Sequence, residues 1–159
     1  MITHVWESGD LADTVVIALH TGLSPSDREW QQYLAALERA WARHKSDTRR
    51  IRALSISDGG APSTRQREQL NGLLKRASGG QGVVAIVTDN LITRNIVRAL
   101  SWFNPDIRAF APSALHAAIH YLSLPEAGRS SFEAALSGYL DAFPLACTKR
   151  ARFKPSLQS

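Results

Sequence analysis

Apolar and polar positions along the chain follow two different periods, which indicate two kinds of secondary structure. Short segments that are apolar throughout, or apolar at every second residue, have the pattern of β-strands. The segment at residues 83–87 is apolar without interruption, which is typical of a central strand that is buried on both faces. The predicted strands are residues 4–8, 14–20, 51–57, 83–87 and 107–110.

Segments with the helical period of about 3.6 residues lie between and after these strands. The first helix is predicted to begin with Ser24 as its cap and Pro25 in its first helical position. The second begins with Ser63 and Gln66, which have the spacing of a capping box. The remaining predicted helix starts are Asp89 or Asn90, Ser113 and Ser130.

The apolar stripes of the first and third helices are expected to face the sheet. Apolar residues recur in them three or four positions apart, so that they share one side of the helix. The first stripe consists of Trp30, Tyr33, Leu34, Leu37 and Trp41, and the second consists of Ile92, Ile96, Val97, Leu100 and Phe103.

The order of these elements, β-β-α-β-α-β-α-β-α-α, predicts a single α/β domain. Strands that are separated by a helix pair in parallel through right-handed crossovers. The turn-like residues 9–13 instead join the first two strands into an antiparallel hairpin at the edge of the sheet. We expect an α/β domain at residues 1–124, a helical extension at 125–145 and a basic, disordered tail at 146–159.

The composition is that of a globular protein with one core. The chain has 159 residues, of which 44% are hydrophobic and 21% are charged. Its apolar runs are too short for a membrane helix, and its first residues lack the basic and apolar regions of a signal peptide. We therefore expect a cytoplasmic protein without membrane insertion. The single cysteine, Cys147, excludes internal disulfides and a cysteine-based zinc site.

The net charge of +5 is distributed unevenly along the chain. Residues 1–38 carry −5, residues 39–52 carry +5, and residues 146–159 carry +4. Proteins that bind nucleic acids usually spread basic residues over one folded face, so this distribution argues against a nucleic-acid partner. The opposite charges of the first two segments favour either self-association or neutralisation within one chain.

Two acidic residues, Asp58 and Asp89, follow neighbouring predicted strands. Ligands of open α/β sheets bind beyond the carboxyl ends of the strands, and two carboxylates there could hold Mg²⁺. A turn acid at Asp58 and a helix cap at Asp89 explain the same residues without a ligand, and we favour that interpretation. The adjacent Gly59 and Gly60 lack the spacing of a dinucleotide or phosphate loop, so we predict no metal and no cofactor.

Other residues that could bind a ligand or take part in a reaction are weaker candidates. His116 and His120 have a metal-ligand spacing on one helix, but surface positions explain them better. His20 ends a strand where a catalytic base would stand. Cys147 lies near two basic residues that would lower the pKa of its thiol, although an unreactive thiol is favoured. Trp102 is expected at the rim of the core or as an exposed contact for a partner.

The order of elements resembles the STAS domain of bacterial anti-sigma factor antagonists, and more closely its SpoIIAA-like branch. The resemblance covers about residues 1–124. It is carried by the hairpin start, by Ala-Leu-Ser-Ile-Ser-Asp at 53–58, by Val-Val-Ala-Ile-Val-Thr-Asp at 83–89 and by Phe-Ala-Pro at 110–112.

The family's phosphoacceptor stands in an Asp-Ser-Ser/Thr-Gly pattern at the start of the second helix. Ser63 matches it, but Pro62 precedes Ser63 and Thr64 and Arg65 follow it, in place of the flanking Asp and Gly. The resemblance implies a non-enzymatic regulatory module that binds proteins or a small ligand, with Ser63 as the candidate phosphosite.

Two functional hypotheses follow from the sequence. The first is a regulatory or protein-interaction module in bacterial signalling, without catalytic residues or cofactor. The alternative is a small α/β enzyme, or a nucleotide- or metal-binding domain, that uses Asp58 and Asp89. The residues predicted to form the ligand or partner surface are Asp58, Gly59, Gly60, Ser63, Asp89 and Trp102.

Overall fold

The computed structural model describes residues 1–9, 13–45, 47–76, 82–100 and 106–149. The strands are β1 (Ile2–Glu7), β2 (Thr14–His20), β3 (Ile51–Ser57), β4 (Val83–Thr88) and β5 (Ile107–Phe110). They form one sheet in the order β1-β2-β3-β4-β5. β1 is antiparallel to β2 and the other neighbours are parallel, which confirms the predicted α/β fold with an antiparallel edge hairpin.

The helices cover both faces of this sheet. They are α1 (Asp27–Arg43), α2 (Thr64–Arg76), α3 (Leu91–Leu100), α4 (Leu115–Tyr121), α5 (Glu126–Ala142) and α6 (Ala146–Lys149). Right-handed crossovers place α1, α2 and α3 on one face, while α4, α5 and α6 pack on the other. No helix within the described ranges combines the length and the apolar character needed to cross a membrane.

The two faces of the sheet carry side chains of different size, because successive residues of a strand point to opposite faces. The face under α4 and α5 carries large apolar side chains that are fully buried, namely Val15, Ile17, Leu19, Leu54 and Ile56. The face under α1 and α2 carries small side chains at its centre, namely Ala18, Ala53, Ser55 and Ser57. The first face therefore fills completely, whereas the second leaves space.

Three helices begin at other residues than predicted. α1 follows Ser26, which forms a capping box with Glu29, because Glu29 has the required spacing from Ser26 and not from Ser24. α4 begins after a short 3₁₀ turn that contains Ser113. α5 begins after Pro125, which has no backbone N–H to leave unpaired, so Ser130 lies inside the helix.

Two other predicted helix starts agree with the structure. The Gln66 N–H donates to Ser63 Oγ over 3.2 Å, and the Ser63 N–H donates to Gln66 Oε1 over 2.9 Å. These bonds confirm the capping box of α2. Of the two caps proposed for α3, Asn90 is the one that acts, because its Oδ1 accepts the Thr93 N–H over 3.1 Å.

The inward stripe predicted for α3 is wrong at its first residue. Ile92 is 72% exposed, and its neighbour Leu91 is 66% exposed. Val97, one turn later, is buried as expected. Phe103 lies outside the described residues. The first turn of α3 thus presents two apolar side chains to solvent at the carboxyl edge of the sheet.

The segment predicted as a disordered tail starts with an ordered helix. Leu145 and Cys147 are buried in the core beneath α4 and α5, and α6 occupies residues 146–149. The prediction for residues 150–159 stays a prediction, because they lie outside the described ranges. Helix α5 packs its Phe132 and Leu136 into the same core.

Candidate functional site

The loop after β3 is fixed by hydrogen bonds to the loop after β2. The Asp58 N–H donates to the His20 carbonyl over 3.1 Å, and the Gly60 N–H donates to the Thr21 carbonyl over 3.1 Å. The Ser57 hydroxyl donates to the Gly60 carbonyl over 3.1 Å. The backbone at this edge of the sheet is therefore held by the protein itself.

The structure explains why glycine is required at both positions 59 and 60 of this loop. Gly59 has a φ of 113°, in the region that favours glycine. A Cβ added to Gly60 would lie 2.2 Å from the Leu23 carbonyl oxygen and 2.4 Å from that of Thr21. Close packing of the two loops accounts for this pair without a bound phosphate.

The Asp58 carboxylate caps α6. Its Oδ2 accepts the Ala146 N–H over 2.9 Å, and its Oδ1 accepts the Cys147 N–H over 2.8 Å. Asp89, at the end of the neighbouring strand, is exposed. Within the described ranges, no group of three or more His, Cys, Asp or Glu side chains is arranged to hold a metal ion. The geometry thus gives Asp58 a capping role that the sequence did not predict.

Replacing Asp58 tests this role. Asp58→Ala should lower the free energy of unfolding by about 0.5–2 kcal/mol, the usual cost of losing a helix cap. Asp58→Asn should cost less, because one side-chain oxygen remains, and Asp89→Ala serves as the control. Urea unfolding gives the values. A melting temperature that Mg²⁺ raises in the native protein but not in Asp58→Ala would instead identify Asp58 as a metal ligand.

The Cys147 thiol has a chemical environment opposite to the one that its basic sequence neighbours suggested. Burial raises the pKa of Cys147 to about 12, and the hydrogen bond from the thiol to Asp58 and the negative charges of Asp58 and Asp89 add to this effect. The expectation that cations lower the pKa of this thiol is wrong. Because thiolates and not thiols are nucleophiles, this environment disfavours a nucleophilic role for Cys147.

The remaining predicted site residues lie in different parts of the fold. Ser63 caps α2 at the carboxyl edge and is exposed, as are His116 and His120 on α4. Trp102 lies outside the described residues. The structure therefore brings Asp58, Gly59, Gly60, Ser63 and Asp89 to one edge of the sheet and leaves the α4 histidines elsewhere.

A cavity of about 290 Å³ lies between α1, α2 and the sheet, and the sequence did not predict it. It occupies the space above the small residues Ala53 and Ser55 of β3. Aromatic side chains of α1 and aliphatic side chains of α2 and β4 complete most of its wall, namely Trp30, Tyr33, Leu37, Trp41, Leu70, Leu74, Val84 and Ile86. Ala61 is exposed and the lining residues of α2, β4 and β5 are half-buried, so the cavity is open to solvent and not enclosed.

Three nitrogen atoms of cavity-lining residues are buried without a hydrogen-bond partner in the described part of the chain. They are His20 Nδ1, Trp30 Nε1 and Trp41 Nε1. Such groups are rare in folded proteins, because water would satisfy them in the unfolded chain. The helical spacing of the two tryptophans predicts core residues and gives no sign of a cavity. The signal for a cavity was the run of small residues on one face of β3.

Burial also changes the protonation of His20. It lowers the pKa of His20 to about 4; the N-terminal ammonium lowers it further, and Glu29 opposes the change. His20 is therefore neutral in the folded protein at neutral pH. A base with this pKa takes up protons weakly at pH 7, which disfavours general-base catalysis at this position.

The low pKa of His20 predicts a loss of stability in weak acid. Unfolded His20 has a pKa of 6.5, so between pH 6.5 and about 4 the unfolded chain binds more protons than the folded chain. The free energy of unfolding should fall by about 3 kcal/mol across this window as the pH decreases. Urea unfolding of the native protein and of His20→Gln, with His116→Gln as the exposed control, isolates the effect. Equal pH slopes for all three proteins would contradict it.

Compared with protein-family models, with curated proteins and with solved structures, the chain shows no match.

Proposed function

We propose that this chain is a non-enzymatic regulatory module of STAS-like architecture that binds a partner protein at the carboxyl edge of its sheet. One observation carries the proposal. The three most exposed large apolar side chains in the described part of the chain, Leu23, Leu91 and Ile92, all follow strands at this edge. Exposed apolar residues grouped in this way are typical of interaction surfaces.

The order of elements supports the STAS-like part of this proposal. The antiparallel β1–β2 hairpin precedes parallel strands that are joined by helices, which is the arrangement on which the resemblance rests. Ser63, which matches the family's phosphoacceptor, begins α2 at the same edge as the exposed apolar side chains. A partner bound at this edge would therefore contact the start of α2.

The side chains at this edge favour binding over catalysis. Asp58 caps α6 and Ser57 bonds within its own loop. The Thr88 hydroxyl accepts the Asn90 N–H over 3.2 Å. Since these polar groups stabilise the loops and helix ends, they provide a rigid support for the exposed apolar residues.

Paired surface variants test the proposed interface. Leu91→Ser combined with Ile92→Ser should change stability little, since both side chains are exposed. The double variant should fail to retain proteins that the native chain captures from extracts of its own host, as measured by quantitative mass spectrometry. Ile2→Ser combined with Val5→Ser, on edge strand β1, is the matched control and should capture them normally. Equal capture by both double variants would place the interface elsewhere.

Substitutions of Ser63 separate a helix cap from a regulatory phosphosite. Ser63→Ala should cost about 0.5–2 kcal/mol of unfolding free energy, and Ser63→Asp should be nearly neutral, because Asp also caps and its charge suits the helix dipole. Thermal unfolding measures both. We expect no phosphate on Ser63 in protein from its own host. A stoichiometric phosphoserine, together with loss of partner binding in Ser63→Asp alone, would instead make Ser63 a phosphoswitch.

A further inference from the structure

The size of the cavity under α1 limits what it can hold. An apolar cavity of about 150 Å³ holds a benzene molecule, so 290 Å³ has room for about two fused rings. The aromatic residues Trp30, Tyr33 and Trp41 line one side of it. Aromatic side chains stack well on planar rings, which favours a flat and compact occupant.

The electrostatic character of the wall favours a neutral occupant. Among the described lining residues, Arg52 alone carries a charge. Its guanidinium lies on the opposite face of the sheet, where it binds Asp13 and donates to the Ser123 carbonyl over 3.2 Å. Burying an ion without a partner is costly, so a charged molecule would find no compensation in this cavity.

The unpartnered nitrogens define which polar groups the occupant needs. The indole nitrogens of Trp30 and Trp41 are hydrogen-bond donors only, and neither has an acceptor among the described residues. His20 Nδ1 is a third buried nitrogen of a lining residue, and His20 is 6% exposed. The two indoles are eleven residues apart, about 16 Å along α1. A two-ring molecule with a carbonyl or ring-nitrogen acceptor would therefore satisfy one of these donors.

We propose that this cavity is a binding site for a neutral, planar compound of about two rings that carries hydrogen-bond acceptors. The site lies beneath α1 and α2 and reaches the carboxyl edge of the sheet at Gly60, Ala61 and Pro62. Leu23, Leu91 and Ile92 are not part of its lining, so ligand binding to the isolated chain tests the cavity without the proposed partner.

Three probes of similar size test the site in the full-length protein. Coumarin is a neutral bicyclic molecule with oxygen acceptors, naphthalene has the same shape without them, and 2-naphthoate adds a negative charge. Titration followed by tryptophan fluorescence and by thermal unfolding should show binding of coumarin. Naphthalene should bind about tenfold more weakly, the effect of roughly one hydrogen bond, and 2-naphthoate should not bind.

A cavity-filling variant locates the binding. Ser55→Val places a β-branched side chain in the cavity on strand β3, where such residues are favourable, so the protein should fold and lose coumarin binding. Thr3→Val, on β1 and outside the lining, is the matched control and should retain it. Coumarin binding that is equal in both variants would overturn the proposed location.

Two tryptophan variants test the donors. Trp41→Phe removes the unpartnered indole N–H of a lining residue and should weaken coumarin binding about tenfold while leaving naphthalene binding nearly unchanged. Trp6→Phe, in the opposite core, should change neither. Failure of all three probes to bind the native protein would overturn the proposal and indicate a cavity that holds only water. Equal binding of coumarin and naphthalene would overturn the role of the donors.

Discussion

Asp13→Ala is expected to lower the free energy of unfolding by about 3–5 kcal/mol, because it leaves a buried arginine without its counter-charge. The side chains of Asp13 and Arg52 form an ion pair, and the residues are 6% and 9% exposed. Arg52 also donates to the carbonyls of Leu122 and Ser123 at the end of α4. This group therefore ties the start of β2, strand β3 and the helix layer together.

A double-mutant cycle isolates the ion pair in urea unfolding. Arg52→Met alone should cost about as much as Asp13→Ala, since it leaves Asp13 buried and unpaired. Asp13→Ala combined with Arg52→Met should cost clearly less than the sum of the two single variants, because no charge remains buried. Arg49→Met is the control, since Arg49 is 89% exposed in its pair with Asp47 and should contribute about 0–1 kcal/mol. A cost of that size for Asp13→Ala would show that the buried pair is no stronger than the surface pair.

Neither half of this ion pair was predicted from the sequence. Alternation along β3 places Arg52 on the same face as Leu54 and Ile56, so its charge lies among apolar neighbours. Its partner Asp13 lies 39 residues earlier in the chain, beyond the reach of local patterns. A second ion pair, between Arg43 and Glu7, also joins the acidic first segment to the basic second one within a single chain.

Local signals predicted the sheet more accurately than the helix ends. Strands β2, β3 and β5 have the predicted bounds. The predicted helix starts were wrong where several serines could act as the cap, because the true start depends on a glutamate or proline at the right spacing. The four residues of α6 show no periodicity and depend on Asp58, which is 88 residues away from Ala146.

The cavity could not be predicted from periodicity. It depends on whether the side chains of α1, α2 and β3 are large enough to fill the space between the helices and the sheet, and not on their spacing. The stripe on α1 correctly identifies Trp30, Leu34 and Leu37 as buried. It does not reveal that the strand residues opposite them are too small to fill the space. The Asp58 cap shows the same limit, since carboxylates that follow strands look alike in a sequence whether they bind a metal or a helix end.

Trp30→Ala is expected to cost about 3–5 kcal/mol of unfolding free energy, the usual range for truncating a buried tryptophan. Trp30 is 2% exposed and packs against Tyr33, with ring centroids 5.4 Å apart. Because Trp30 borders an existing cavity, its removal enlarges a space that the surrounding side chains already fail to fill. The cost should therefore lie toward the upper end of the range.

A series along α1 makes this prediction specific. Trp41→Ala should cost less than Trp30→Ala, because Trp41 is only partly buried against the same cluster. Trp30→Phe should recover most of the loss, since an aromatic ring remains at the position. Chemical unfolding of the three variants provides the comparison. An unchanged midpoint for Trp41→Ala, or equal costs for both alanine variants, would contradict the burial order along the stripe and thus the position of α1 above the cavity.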